Sequence, residues 1–462
     1  MNFLTGKWKW LLGITVMLAV ALYSSIPAFS APSIPLRGVV EGFYGTPWSQ
    51  ADRLSMLKFC HEHKLNAYIY APKDDAYHRA KWREMYPADK MAELKALIDE
   101  SKKQQVKFIF AVSPGLDIHF AGQEAEQDKQ AMQAKLTAMY DMGVRDFAIF
   151  FDDIKNKDGK GQAEFLNWVN ANFIAQHADI NPLIAVPTEY FRQDMESEGQ
   201  IKKYTKEFSS TLDKDILVLY TGEKVVPDGL RDIDYVRANK LYGRQLGIWW
   251  NYPVSDYLEA KLALGPVEKL PALSEIPAIF YNPMKHAELS KISLATGAEY
   301  ALNPGKYNAE KAWHKAIKAQ YGSLAADMEA FADQSQHMVV SWAVIGPEDG
   351  AALRRQMNAY WQNPNDESRK KLLADLSKLD QSIVKLQAKL PQNILKECQP
   401  QLEQLQRIVQ ADMLGVQVLA GEKTKADFTK VLEEVKAHDK DARISETAAR
   451  AFADELYTHM ND

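Results

Sequence analysis

Asp146–Ile154 reads DFAIFFDDI, and the fold is decided by how this stretch is placed. Phe147–Phe151 is a short, unbroken apolar run rich in Phe and Ile, the pattern of a buried strand. Asp152 and Asp153 follow at once. Burying a charge without a partner is expensive, so the pair belongs at the strand's C-terminal end, where the chain leaves the sheet. In a parallel barrel that end carries the catalytic groups. Adjacent residues at a strand end point in different directions, so two carboxylates there can serve one ligand in two ways. Taken alone, the segment also reads as a strand end running into a solvated loop, DDIKNKDGK, and the rest of the chain has to decide.

Working outward, similar apolar runs recur on both sides: Gly38–Phe43, Ala67–Tyr70, Lys107–Val112, Leu183–Val186, Ile216–Tyr220, Leu246–Trp250 and Ala278–Tyr281. Helical patterns fill the gaps, among them Gln50–His63, Lys90–Gln104, Asp128–Asp141 and Gly161–Ala175. Strands alternating with helices in this number predict an α/β fold, a (β/α)8 TIM barrel spanning 31–305. A doubly wound open sheet is the alternative, but no GxGxxG follows the first strand and a dinucleotide site is unsupported. After Pro304-Gly305 strand-like runs nearly vanish. Leu372, Leu376, Leu379, Ile383, Leu386 and Leu390 form one seam along a helix. Pro391 ends it and can begin the next at its first turn. Further helices are expected at Ile394–Leu419, Lys425–His438 and Ser445–His459. Residues 306–462 therefore read as an all-α helical bundle with a packing or interaction role.

The chain has 462 residues, 46% hydrophobic and 25% charged, with a net charge of -5. That is ordinary for a globular protein and gives no electrostatic case for nucleic acid or an anionic membrane. Residues 1–30 combine Lys7 and Lys9, the apolar core Leu11–Leu22, and the small-residue pattern Ala28-Phe29-Ser30. This reads as a secretory signal peptide cut before Ala31, its core short for a membrane span of about 20 residues, with an uncleaved anchor as the alternative. The expected location is secreted or periplasmic, without stable membrane insertion after cleavage. Cys60 and Cys398 are the only cysteines and lack metal-ligand spacing. Export permits a disulfide, but two buried free thiols are the expectation. His61 and His63 sit two apart on a helix and face different ways. No metal or cofactor is expected.

Polar and aromatic groups gather where the strands finish. Strand one ends in EGFYGTPW, with Glu41, Gly42, Tyr44, Gly45 and Trp48. Strand two ends in APKDD, with Lys73, Asp74 and Asp75; strand five in PTEY, with Glu189 and Tyr190. Strand six ends in YTGEKVV; strand seven in WWNYPVSD, with Trp249, Asn251 and Asp256; strand eight in YNP, with Asn282. One such cluster could be turn chemistry. Several on one face favour a small polar ligand. Aromatic walls with amides, carboxylates and a lysine suit a sugar, whose ring faces are flat and apolar and whose hydroxyls both donate and accept.

GVVEGFYGTPW, YAPKDDAYHRAKWREMYP, SPGLDI, FFDDI, PTEY and WWNYPVSDY, in this order, closely resemble the catalytic domain of glycoside hydrolase family 84, the β-N-acetylglucosaminidases that include protein O-GlcNAcases and hyaluronidase-like bacterial enzymes. The resemblance covers roughly 36–304. It implies a retaining, substrate-assisted reaction in which the 2-acetamido oxygen attacks the anomeric carbon and forms an oxazoline. By match to FFDDI, Asp152 would orient the acetamido N–H and Asp153 would be the general acid, then the base. Neighbouring carboxylates disfavour simultaneous charge, which suits acid work by one of them. By the same matching Tyr190 would hydrogen-bond the acetamido oxygen and Trp249 would wall its methyl. Gly42 through its carbonyl, Lys73, Asn251, Asp256 and Asn282 would hold the sugar, with Asp256 on O4 and O6.

Lys73 could instead pair with Asp74 or Asp75, and Asn282 could merely start a turn. Tyr44 and Trp250 read as packing residues or as support one layer behind the ligand contacts. Glu41 and Glu189 could tune the aspartates or anchor the barrel top. Bacterial relatives often carry a small mixed domain before the barrel, for which this sequence leaves no room. The expected partner is a glycan or glycoprotein bearing N-acetylglucosamine, cleaved from its terminus. An endo-acting hyaluronidase-like enzyme and a non-catalytic sugar-binding protein are the alternatives, and the oligomeric state is open.

Overall fold

The computed structural model describes residues 31–461, so the expected signal peptide lies outside the described residues. Eight parallel strands close into a barrel: β1 (Leu36–Glu41), β2 (Ala67–Tyr70), β3 (Lys107–Val112), β4 (Asp146–Phe150), β5 (Ile184–Val186), β6 (Leu217–Tyr220), β7 (Gly247–Trp250) and β8 (Ala278–Tyr281). β8 returns to β1, with Leu36 opposite Ala278 and Val39 opposite Tyr281. That pairing closes the ring and excludes the open doubly wound sheet. β1 also approaches β2 closely, since a Cβ on Gly38 would lie 2.0 Å from the Ala67 carbonyl oxygen. Only glycine fits there.

The strands are buried on both faces, as expected of a parallel sheet covered by helices. Val40, Ile69, Ile109, Ala148, Phe150 and Phe280 pack together inside the barrel. Their neighbours Val39, Tyr68, Phe108, Phe147 and Ile149 pack outward against the helical ring. On β4 the alternation sends Ala148 and Phe150 inward, and continuing it sets Asp152 over the barrel's mouth.

The region beyond the barrel holds the helices Ala309–Tyr321, Ala325–Ala332, Ala351–Gln362, Asp366–Lys389, Gln392–Leu419, Lys425–His438 and Ala449–His459. The seam Leu372, Leu376, Leu379, Ile383 and Leu386 is buried. Asn365 caps that helix, its side chain accepting from the N–H groups of Glu367 and Ser368. One element departs from an all-helical reading: an antiparallel hairpin of β9 (Met338–Val340) and β10 (Ala343–Ile345), with Val339 opposite Val344. Cys60 and Cys398 are both buried free thiols. No described helix is long and apolar enough to cross a membrane.

Candidate active site

At the end of β4 the Phe151 N–H donates to the Val186 carbonyl at 2.8 Å, holding the chain against β5 until the aspartates. Asp153 then takes a left-handed conformation, with φ of 56°. Aspartate tolerates this better than most residues, and the bend separates the directions of the two carboxylates. The Arg79 guanidinium donates to the Asp153 carbonyl at 3.1 Å and fixes the turn from β2's loop.

The two carboxylates have different surroundings. Asp152 is buried and ion-paired to Lys73, whose side chain is also buried. Lys73 bonds one oxygen; the other, Oδ1, is buried with no hydrogen-bond partner among the described residues. Buried polar atoms are rarely left so, and this one belongs to a residue lining a cavity. Asp153 accepts two phenol hydrogen bonds, from Tyr190 to Oδ1 at 2.8 Å and from Tyr44 to Oδ2 at 2.7 Å. Burial first, and then the Asp153 charge, push both phenols well above the ordinary tyrosine value, so both remain protonated donors.

Opposite the pair stands Trp249. Its ring meets Phe150 edge-on at 5.4 Å and lies over Gly42, where a Cβ would come within 2.4 Å of the indole. Glycine at 42 is therefore what lets the indole seat. The indole N–H donates to Asn251 Oδ1 at 2.8 Å, Asn282 Nδ2 donates to the same oxygen at 3.0 Å, and Asn251 Nδ2 donates to the Val225 carbonyl at 2.8 Å. Asn282 Oδ1 accepts from the Gly42 N–H at 3.3 Å. The two amides thus fix the indole's orientation from behind. Asp256 accepts from the Tyr44 N–H at 2.8 Å, and burial pushes its carboxyl above the usual range. Together these groups line one cavity of about 390 Å³ at the C-terminal mouth of the barrel. All of Gly42, Lys73, Asp152, Asp153, Tyr190, Trp249, Asn251, Asp256 and Asn282 lie on its wall.

Residues 37–333 match the family model for β-N-acetylglucosaminidase. The chain belongs to that family, glycoside hydrolase family 84. Residues 352–453 match a second model, described as hyaluronidase post-catalytic domain-like. The protein O-GlcNAcases of Rattus norvegicus and Mus musculus are each 32% identical over 274 residues, which is 57% of this chain but only 30% of theirs. Among solved structures, CpGH84B superposes with a TM-score of 0.84 at 39% identity, covering 92% of this chain and 77% of the other. A mutant O-GlcNAc hydrolase from Thermobaculum terrenum gives 0.80 at 27% identity, covering 92% and 94%.

The structure decides between several readings left open for this family 84 chain. Lys73 pairs with Asp152, not with Asp74 or Asp75, which instead bond Gly45 N–H and the phenols of Tyr70 and Tyr86. Of the two readings for Tyr44, packing or support of the ligand contacts, the second fits: its phenol reaches Asp153 from the cavity wall. Trp250 is buried in the outer core, as expected. Glu41 bonds Arg53, Tyr68 and the Trp48 N–H, and Glu189 bonds Thr205 and Lys157. Both anchor the barrel top, and neither touches the aspartates. Trp342, at the tip of the β9–β10 hairpin, lines the cavity although it lies far beyond the barrel in sequence. Sequence reading missed it because its turn lacks the Asn-Gly type of signal that marks a two-residue hairpin.

Proposed function

We propose that the protein is an exported, retaining β-N-acetylglucosaminidase that removes terminal β-linked N-acetylglucosamine from a glycan or glycoprotein. The observation that carries this is the asymmetry of the two carboxylates. Asp152 is compensated by Lys73 on one oxygen and offers the other as an acceptor. That suits an amide N–H, which a neutral sugar hydroxyl pocket would not require. As the acetamide carbonyl oxygen forms a bond to the anomeric carbon, the bond from that carbon to the leaving oxygen breaks and its electron pair takes a proton from Asp153. Asp152 holds the N–H while positive charge spreads over the forming oxazoline ring. Water then adds to the anomeric carbon, giving its proton to Asp153, and the ring reopens to the acetamide with retained configuration.

Tyr190 donates to Asp153 at 2.8 Å and can turn to donate to the acetamide oxygen when a sugar enters. The indole of Trp249, locked by Asn251 and Asn282, is suited to wall the acetamide methyl. Lys73, Asn251 and Asn282 all line the cavity and are suited to hold the sugar hydroxyls, while Lys73 also compensates Asp152 and the two asparagines also brace Trp249. A cavity of about 390 Å³ lies near the small end of the usual ligand range of about 300–1,000 Å³, which favours one terminal sugar over an internal one. The test compares an aryl N-acetyl-β-glucosaminide with the aryl glucoside lacking the acetamide. The expected outcome is turnover of the first and almost none of the second; equal rates would exclude substrate assistance.

A further inference from the structure

A buried ion cluster lies outside the cavity, where the barrel, the hairpin and the C-terminal segment meet. The Lys261 ammonium contacts Asp349 Oδ2 at 2.6 Å and Glu446 Oε2 at 2.8 Å, with the side chains of Lys261 and Asp349 fully buried. Asp349 Oδ1 accepts from the N–H groups of Gln336 and His337, both at 2.8 Å, and Oδ2 also accepts from the Glu446 N–H at 3.2 Å. Glu446 Oε1 is bonded by Arg443. The catalytic cycle proposed above uses none of these groups.

What the cluster joins is specific. Lys261 follows the short turn Asp256–Leu258, which carries two cavity residues, Asp256 and Tyr257. Gln336 and His337 lead directly into β9, and Asp349 follows β10, so its carboxylate clasps the base of the hairpin. At the hairpin's tip the Trp342 ring sits 5.1 Å from that of Tyr257. Backbone bonds reinforce the junction: Leu264 N–H to the Ser335 carbonyl and Arg443 N–H to the Ala260 carbonyl, both at 2.9 Å. Buried ion pairs are weak contributors to stability, because desolvation offsets the attraction. A better-supported use for such a cluster is to fix one arrangement among several.

We propose that Lys261, Asp349 and Glu446 are positioning residues that hold Trp342 against Tyr257 on the wall of the cavity. Through them the C-terminal segment determines how well an extended leaving group, a peptide or a further sugar, is accepted. This rests on the glycosidase reading, in which the cavity holds the terminal sugar and an extended leaving group would meet the half-exposed Trp342 on its wall. The Trp342 side chain is 49% exposed, so its place depends on the hairpin and not on core packing.

The test uses the full-length protein labelled with 5-fluorotryptophan, with the Trp342 resonance assigned by its loss in Trp342→Phe. Glu446→Gln is the main variant, because Glu446 is partly exposed and its loss is tolerable; Asp349→Asn is the stronger one. Expected is a shifted or broadened Trp342 resonance with the Trp249 resonance unchanged. KM for a GlcNAc-bearing peptide should rise about 2–10-fold, the cost of ordering one loosened side chain on binding. The value for a phenyl N-acetylglucosaminide should stay within about two-fold, and kcat for both should be kept. An unmoved Trp342 resonance, or equal changes for the two substrates, overturns the proposal. If the unmodified protein turns over neither substrate, the glycosidase reading fails, and the fluorine spectrum alone still decides whether the cluster positions Trp342.

Discussion

Asp152 in the barrel and Asp412 in the long helix of the C-terminal region are both buried aspartates with oxygens that no protein group reaches. Asp152 has Lys73 on its other oxygen and lines a cavity. Asp412 has neither: both its oxygens are unpartnered, the residue is fully buried, and burial raises its carboxyl well above the ordinary range despite attraction from Arg450. An isolated carboxylate sealed in an apolar interior gives up its charge. A compensated one at a cavity can keep it and use it. The difference teaches that an unpartnered acid marks a site only when it also has a counter-charge and access for a ligand.

The comparison is broken most directly at the barrel. Asp153→Asn should abolish proton donation while leaving the acetamide oriented, so its damage should grow as the leaving group becomes more basic. General acid–base assistance contributes about 10²–10⁴-fold, or about 3–5 kcal/mol. Asp152→Asn should weaken the acetamide as nucleophile, with substantial losses for acidic and basic leaving groups alike. The measurement is kcat/KM across aryl glycosides of graded acidity. A steep dependence for Asp152→Asn with a flat one for Asp153→Asn would reverse the roles.

How much of this was legible beforehand follows from the range of each interaction. β2, β3 and β8 match the expected runs residue for residue, because a buried parallel strand is an apolar run with sharp ends. The expected site residues all reach one cavity because they sit at the same ends of those strands. What escaped was which group touches which. Lys73 was weighed against Asp74 and Asp75, its sequence neighbours, yet its partner lies across the barrel's mouth on β4's loop. Tyr44 could equally pack or support the site, and only its phenol on Asp153 decides for support. Asn251 and Asn282 read as sugar ligands, and the sequence did not show that they also bond each other, with Asn251 accepting from the Trp249 indole. Such pairings depend on the barrel's curvature, which no local pattern encodes.

Glu397 occupies a middle case between the two aspartates and sharpens the contrast. It belongs to the long helix Gln392–Leu419 but caps a barrel helix, accepting from the N–H groups of Glu288 at 3.1 Å and Leu289 at 2.8 Å. Burial pushes it up to about 7 from an ordinary 4.5, with those N–H groups partly opposing. A raised carboxyl value means that folding takes up a proton in this interval. The contribution of Glu397 to stability should therefore be fully present below pH 4.5, fall as pH rises toward about 7, and then level off. Unfolding midpoints in urea at pH 5 and pH 8 should show a loss on the order of 1–2 kcal/mol that Glu397→Gln removes. Parallel pH profiles for the two proteins would show that the carboxyl is not strained by its burial. Activity on the aryl substrate should follow the folded fraction only.

The smallest effect on catalysis belongs to Asp412. If a buried acid without counter-charge or access is merely a structural cost, Asp412→Asn should leave kcat/KM unchanged within about two-fold, against about 10²–10⁴-fold at Asp153. Its signature should appear in stability instead. With the folded value raised above an ordinary 3.8, the carboxyl binds a proton more tightly in the folded chain, so stability is lost progressively as pH climbs from 3.8 toward the raised value. Asp412→Asn cannot titrate, and its stability should decline less over that range than the unmodified protein's. Asp412→Leu goes further by removing the polar group from its apolar surroundings, and apolar replacement of a poorly satisfied buried charge is often neutral or stabilising. Its melting temperature should equal or exceed that of the unmodified protein at pH 8. The competing arrangement has Arg450, which already bonds Asp439 and Asp454, turning inward to pair with an ionised Asp412. In that case Asp412→Leu would lower the melting temperature at pH 8 while Arg450→Met lowered it by a similar amount, and the two changes together would cost little more than either alone. Additive effects with a gain from Asp412→Leu would leave the acid neutral in the bundle.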